Sequence, residues 1–240
     1  SVTTFQGNVT SNGGTGVWDS NYVAVWHLKE DLSGGAPQMK DSTANAHHFT
    51  SNGSQVAGDQ VTGKVNGSLG FDGSNDYLNT SSHADFNATT TTISFWFKPK
   101  VMWDSSSGAN DILSKACNGI RIEQNWDSTG KTRNRVNCTQ SAITNTASWA
   151  SSTWHNVTFT QNDATSSVYV NGVFENASAA GGAPQGGSFD LWLGGEPGQQ
   201  FSDAYFDEVH FSKTVRTDGW IATEYNNQSN PGGFYAVGGE

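Results

Sequence analysis

The chain has 240 residues and a formal net charge of −10, with 14% charged and 12% aromatic residues, nine of them Trp. That length suits one large all-β domain, which buries enough surface to need neither a metal nor a disulfide for its core. The acidic balance, with no Lys/Arg cluster to offset it, argues against nucleic acid and anionic lipid as partners. No stretch approaches the ~18 apolar residues of a membrane span, so membrane insertion is not expected.

Residues 1–16 are polar and Gly-rich without a period and read as an N-terminal arm or linker; residues 17–228 read as one β-sandwich domain and 229–240 as a C-terminal linker. No basic-then-apolar leader opens the chain, so it reads as a mature or excised fragment. The first strand is expected over Tyr22–Leu28, where both alternating faces are apolar, as in a central strand. The stretch from Lys29 to Gly67 is too long for an ordinary connection and is expected to be functional or pinned by an ion. Strands then recur between turn signals at Gly67–Phe71, Asp76–Asn79, Thr91–Lys98, Asp111–Lys115, Gly119–Asn125, Arg133–Cys138, Thr153–Gln161, Ser166–Val170, Val173–Asn176, Phe189–Leu193 and Ala204–Phe211. Asn171-Gly172 supplies the two positive-φ positions of a type I′ hairpin, setting Tyr169 across from Phe174. One helix is expected from a Thr217 cap through Trp220, Ile221, Glu224 and Tyr225, packed on the sandwich edge.

Four short stretches follow in order: Val25-Trp26-His27-Leu28, Asp41-Ser42-Thr43-Ala44-Asn45, Phe71-Asp72-Gly73-Ser74-Asn75-Asp76-Tyr77-Leu78 and Phe206-Asp207-Glu208-Val209. With Thr92-Ile93-Ser94-Phe95-Trp96-Phe97-Lys98-Pro99, Thr153-Trp154-His155-Asn156-Val157 and Val168-Tyr169-Val170-Asn171-Gly172, the run resembles the concanavalin A-like lectin/glucanase superfamily in its laminin G-like branch. The resemblance spans about Trp18 to Asn227 and implies an antiparallel jelly-roll β-sandwich that recognises something outside the cell.

Two-residue alternation places Tyr205, Asp207, Val209 and Phe211 on one face, sending the Asp207 carboxylate toward the apolar side. A buried carboxylate must be paired, hydrogen-bonded or metal-bound. Asp41 and Asn45 in the long loop offer hard oxygen ligands of the kind Ca²⁺ takes. The resemblance points the same way, so Asp41, Asn45 and Asp207 are the expected ligands of a structural calcium ion. The alternative is that Asp41 and Asn45 cap turns while Asp207 accepts backbone N–H bonds. Asn75 and Asp76 are read first as hairpin residues and second as a cation or ligand site. His47-His48 reads as a surface pair.

Paired-carboxylate glycosidase strands of the Glu-x-Asp-x-Glu type are absent, and Glu208 with His210 supplies only one carboxylate and one imidazole. Lyase constellations cannot be assembled either, so a glycosidase or polysaccharide lyase is the weakest reading and the chain is expected not to be an enzyme. Trp18, Trp26, Trp96, Trp154, Trp192 and Trp220 read as packing residues. Trp103, Trp126 and Trp149 stand in loop compositions, and a loop Trp is the better partner for the C–H face of a sugar. Trp126 is the first choice, with Asn125 and Asp127 beside it and Trp103 second, on a hairpin that Cys117 and Cys138 can tie at its base. Such a bridge implies an oxidising compartment; two unrelated buried thiols are the alternative.

The expectation is therefore a non-catalytic, extracellular carbohydrate-binding module from a larger secreted or surface protein, its partner a glycan or polysaccharide. The competing expectation is a protein-binding or architectural adhesion module, as in bacterial adhesins or phage tail and fibre proteins, with a surface protein as partner.

Overall fold

The computed structural model describes residues 18–185 and 187–230. The expected N-terminal arm and the part of the expected C-terminal linker beyond residue 230 lie outside the described residues. In chain order the strands are β1 (Tyr22–Trp26), β2 (Thr50–Asn52), β3 (Gln60–Thr62), β4 (Gly67–Asp72), β5 (Tyr77–Thr80), β6 (Thr91–Pro99), β7 (Asn110–Ser114), β8 (Ile120–Gln124), β9 (Thr132–Val136), β10 (Thr139–Ile143), β11 (His155–Gln161), β12 (Thr165–Val170), β13 (Val173–Ala179), β14 (Leu191–Leu193) and β15 (Asp203–Ser212). A single α-helix among the described residues, α1, covers Asp218–Ser229.

The strands form two antiparallel sheets. One runs β13-β12-β11-β6-β15-β4-β3, with β1 pairing to the second half of β15, and the other runs β10-β9-β8-β7-β14-β5-β2. Alternation explains how the core fills. In β6, Ile93, Phe95 and Phe97 enter the interior while Trp96 stays outside the core cluster; in β8, Ile120 and Ile122 point inward while Arg121 and Glu123 do not. Trp26, Phe49, Phe71, Phe206 and Phe211 complete an aromatic interior in which each large-to-small change would cost about 3–5 kcal/mol.

The long segment after β1 is not featureless: β2 joins the edge of the seven-stranded sheet and β3 the edge of the other. Both strands are three polar or mixed residues long, too short to show a period. The edge strand β10 was likewise missed, its Thr139-Gln140-Ser141 opening carrying no apolar alternation. The Asn171-Gly172 hairpin is as expected, both residues at positive φ and Tyr169 opposite Phe174.

Strand β15 corrects the expected face. The register slips between Asp207 and His210, and Glu208 sits at φ 47°, so the ladder carries a bulge there. Ala204 and Phe206 enter the core before the bulge and Val209 and Phe211 after it, a three-residue step that shifts the alternation by one. Tyr205 therefore leaves the expected set, and Asp207 falls at the bulge itself.

Candidate functional site

On the outward face of the seven-stranded sheet, β8 and β9 project charges at every second residue. Glu123 stands at the centre: its carboxylate meets Arg121 Nε at 2.9 Å, Arg133 Nε at 2.9 Å and Arg135 Nη1 at 3.3 Å. Across the ladder on β7, Asp111 receives Arg121 Nε at 3.0 Å and a second, very short bond from the same guanidinium. Burial pushes the Asp111 carboxyl up to about 7 even with Arg121 against it. Gln200 accepts from Arg121 at 2.8 Å, and Glu196 lies 3.5 Å from the same guanidinium.

Trp126 closes this array from above. Its ring centroid lies 5.9 Å from the Arg121 guanidinium carbon and 5.5 Å from those of Arg133 and Arg135, while the side chain remains 45% exposed. One side of the indole is thus held by cations and another is open to solvent, which fixes the ring as a platform. The hairpin tip is built to hold it: Asn125 at φ 55° accepts the Gly130 N–H at 2.7 Å and donates to the Ser107 carbonyl. At Gly130, φ is 76° and a Cβ would fall 2.0 Å from the Ala147 carbonyl oxygen, so only glycine fits. Cys117 and Cys138 are bridged at the base of the same hairpin.

Beside the platform runs a groove of about 760 Å³, walled by Ser106–Asn110 on one side and Gly198–Phe201 on the other. Ser107 is bonded to Asn125 and Gln200 to Arg121, so groove and platform share their supports.

Of the residues singled out from sequence, Trp126 and Asp127 are exposed here. Asp127 accepts the Thr129 hydroxyl at 2.6 Å across the turn. Trp103 is a correction: it is 1% exposed, stacked on Phe97 with ring centroids 5.3 Å apart, and paired through its backbone with Trp149. Its loop-like neighbours hid a core residue. Asn125 is likewise buried, with its side chain consumed by the turn, so it supports Trp126 instead of facing a ligand. Sequence reasoning missed Arg121, Glu123 and Arg135, although charges at alternate positions on both arms of one hairpin mark a single polar face.

The three expected calcium ligands do not converge. Asp41 Oδ1 accepts the N–H groups of Val25 at 3.0 Å and Thr43 at 2.9 Å, and Oδ2 accepts the Thr43 hydroxyl at 2.8 Å and the His47 N–H at 2.9 Å. Asn45 donates to the carbonyls of Tyr22 and Val23 at 3.0 and 2.9 Å. Both residues fasten the long segment to one edge of β1, whereas β15, which carries Asp207, pairs with the other edge. Asp207 Oδ2 accepts the Val65 N–H at 2.8 Å, and Oδ1 is buried with no hydrogen-bond partner among the described residues. Burial pushes this carboxyl up to about 7. The set therefore does not fit one shared cation. Asp76 accepts from Ser54 and from the Asp72 N–H, closing its own turn.

The eight-stranded sheet carries a second charged array on its outward face, beneath α1. The Glu208 carboxylate takes His27 Nδ1 at 2.6 Å and His210 Nε2 at 3.0 Å, and His210 Nδ1 meets Glu224 of the helix at 2.6 Å. Against the cost of burial, the bonds from His210 and His27 hold the Glu208 carboxyl down at about 2. Also against burial, Glu208 and Glu224 lift His210 to about 10. Both nitrogens of this imidazolium are committed to carboxylates, so it acts as a fastener. The helix accordingly packs on the sheet face, where Tyr225 stacks on Trp96 with centroids 5.5 Å apart, and not on the edge as expected.

A family model described as the concanavalin A-like lectin/glucanases superfamily, Laminin_G_3, matches residues 72–222. No curated protein matches the chain. Among solved structures, the binding domain of Paraclostridial Mosquitocidal Protein 1 aligns with a TM-score of 0.65 at 14% identity, covering 86% of this chain and 52% of that one. Domain 4 of AbnA, an extracellular GH43 arabinanase from Geobacillus stearothermophilus solved with arabinotriose, aligns with a TM-score of 0.63 at 17% identity, covering 84% of this chain and 97% of that one. The binding domain of botulinum neurotoxin DC, solved with rat synaptotagmin II, aligns with a TM-score of 0.60 at 13% identity, covering 87% of this chain and 52% of that one. The chain thus spans about half the length of the toxin binding domains and nearly all of the arabinanase domain. At these identities the likeness is one of fold.

Proposed function

The chain belongs to the concanavalin A-like lectin/glucanase superfamily, and from that fold and the Trp126 face we propose that it is a non-catalytic carbohydrate-binding module. The observation that carries the reading is the half-exposed Trp126 indole braced by three guanidiniums, with Asn125 beside it and Arg121 beneath it bonded to Ser107 and Gln200 of the neighbouring groove. A pyranose stacks its C–H face on the free side of the indole, and the chain beyond it runs toward the groove, where Ser106 and the amide NH₂ of Gln200 offer polar partners. The carboxylates below are unsuited to acid–base work as they stand. Asp111 and Glu123 are fully buried and occupied by guanidinium groups, so neither is within reach of a glycosidic oxygen.

Among the structural neighbours, the arabinanase domain was solved with arabinotriose, and entry of botulinum neurotoxin type C depends on interaction with two ganglioside molecules. Both support a saccharide ligand; the synaptotagmin complex supports the protein-binding alternative. The Cys117–Cys138 bridge supports a secreted or surface location, because such bridges persist in oxidising compartments.

The test is affinity electrophoresis and pull-down on insoluble and soluble polysaccharides with the intact chain and Trp126→Ala. Retention that falls at least tenfold in the variant is the expected result. Equal retention of both proteins removes the site from Trp126, and no retention on any polysaccharide by the folded protein turns the reading to a protein partner.

A further inference from the structure

We propose a second saccharide site on the opposite side of the sandwich, in the pocket between α1 and the segment leading into β1; the inference rests on the carbohydrate reading and extends it to a bivalent module. The pocket has a volume of about 340 Å³, and Trp18, Tyr22 and Trp220 form its aromatic walls. That volume lies near the lower end of small-ligand cavities, which run from ~300 to ~1,000 Å³, and it suits one sugar ring instead of a chain.

The walls are pre-set. Arg216 lies over both Tyr22 and Trp220, its guanidinium carbon 4.6 and 4.5 Å from their ring centroids, and is itself tied to Asp19 at 2.9 and 3.1 Å. Trp18 meets Tyr22 edge-on with centroids 5.0 Å apart. Trp220 is nevertheless 44% exposed, although its helical spacing had marked it as a packing residue. An indole braced by a guanidinium and left open to solvent is the arrangement found at Trp126, reached here with different elements and on the other sheet.

The remaining lining supplies polar groups. Gln228 accepts the Trp96 indole N–H at 2.5 Å, which leaves its amide NH₂ as a donor, and Asn227 and the Glu224 carboxylate border the same space. His210 forms the floor. Its two nitrogens are held by Glu208 and Glu224, so it fixes the depth of the pocket and takes no ligand hydrogen bond. Aromatic walls with a few amide and carboxylate groups at one end match a pyranose, whose C–H face is apolar and whose rim is hydroxylated.

The experiment is isothermal titration and Trp-indole NMR with cellotetraose, xylotetraose, arabinotriose and methyl galactoside, on the intact chain, Trp126→Ala, Trp220→Ala and Trp18→Ala. Trp18 and Trp220 come from separate elements, and circular dichroism checks that each variant is folded. The expected result is two molecules bound per chain, with one class lost in Trp126→Ala and the other in both Trp220→Ala and Trp18→Ala. A single class lost only in Trp220→Ala and Trp18→Ala sustains the pocket and overturns the Trp126 site. A single class abolished by Trp126→Ala and untouched by the other two overturns the second site and leaves the module reading standing. Absence of any binding by the intact chain overturns both.

Discussion

Two outward faces of one sandwich bury ionic networks in different ways. On the seven-stranded sheet three guanidiniums surround Glu123 under one indole; on the eight-stranded sheet Glu208 and two imidazoles lie under a twelve-residue helix. A buried charge needs both a partner and a cover. Where the cover is a helix, the charges serve to fasten it, and the opening is confined to the pocket at its flank. Where the cover is a single aromatic side chain, the same device leaves a flat ring facing solvent, and recognition becomes possible there.

The comparison is broken most severely by removing the central carboxylate on each side. Glu123→Ala leaves Arg121 with Asp111 but takes from Arg133 and Arg135 their carboxylate partner; guanidiniums cannot shed their charge, and a loss of about 3–5 kcal/mol is expected at any pH from mildly acidic to mildly alkaline. Glu208→Ala removes a partner from His27 and from His210, but the His210 imidazole can deprotonate and Glu224 still holds one of its nitrogens. Its cost should be smaller. The sign follows from linkage: His210 is raised in the folded state, so its contribution is full below the ordinary imidazole range and is lost as pH rises through about 10. Glu208 is depressed, so its contribution is present above the ordinary carboxyl range and is lost as pH falls toward 2. Urea denaturation across that range checks both; equal losses at all pH values for the two variants would show that the imidazoles are as inert as the guanidiniums.

The next largest effect separates the faces by covalent means. The Cys117–Cys138 bridge closes a 21-residue separation at the base of the Trp126 hairpin, worth about 3 kcal/mol by the chain-entropy estimate. The double Cys117→Ser/Cys138→Ser variant should lose that stability and weaken retention on polysaccharide, while far-ultraviolet helix signal from α1 is kept below the melting transition. Unchanged retention would mean that Asn125 and Gly130 hold the indole without the bridge.

How much of this was legible beforehand differs between the faces for a physical reason. The sandwich, most strands and the Asn171-Gly172 turn follow from alternation and turn chemistry, which are local. Trp126 stood out because its neighbours are turn formers, but the same cue misread Trp103, whose burial depends on Phe97 and Trp149 from distant strands. The bulge at Asp207–Glu208 carries no composition signal, so the alternation rule assigned Asp207 and Tyr205 to the wrong face. The pairing of Trp220 with Trp18 and Tyr22 joins the two ends of the described chain and leaves no trace in sequence spacing.

Asp207 gives a smaller and oppositely signed test on the helix-covered face. Its carboxyl is raised to about 7 by burial, with one oxygen unpartnered among the described residues, so the folded state holds the proton more tightly than the unfolded state does. Stability from this group is therefore full at acid pH and is lost as pH rises through about 7. Asp207→Asn keeps the acceptor for the Val65 N–H and removes the charge. A gain on the order of 1–2 kcal/mol at pH 8 is expected, against no gain at pH 4. Melting curves at both values, in buffer with and without chelator, decide it; a loss at pH 8 that appears only without chelator would mean that a cation, and not a proton, compensates this carboxylate.

The gentlest perturbation acts on the cover itself. Thr217 caps α1 by accepting the Trp220 N–H, and the adjacent Asp218 accepts the Tyr169 hydroxyl at 2.7 Å. Thr217→Ala should cost about 1 kcal/mol and Thr217→Ser far less, since serine keeps the capping oxygen. Because the first turn of the helix carries Trp220, fraying there loosens one wall of the pocket without touching the Trp126 face. Hydrogen exchange should quicken at residues 219–223 and stay unchanged at the tip of the β8–β9 hairpin. Exchange that quickens at both would show that the two covers are mechanically coupled through the core, and that the sandwich does not insulate one face from the other.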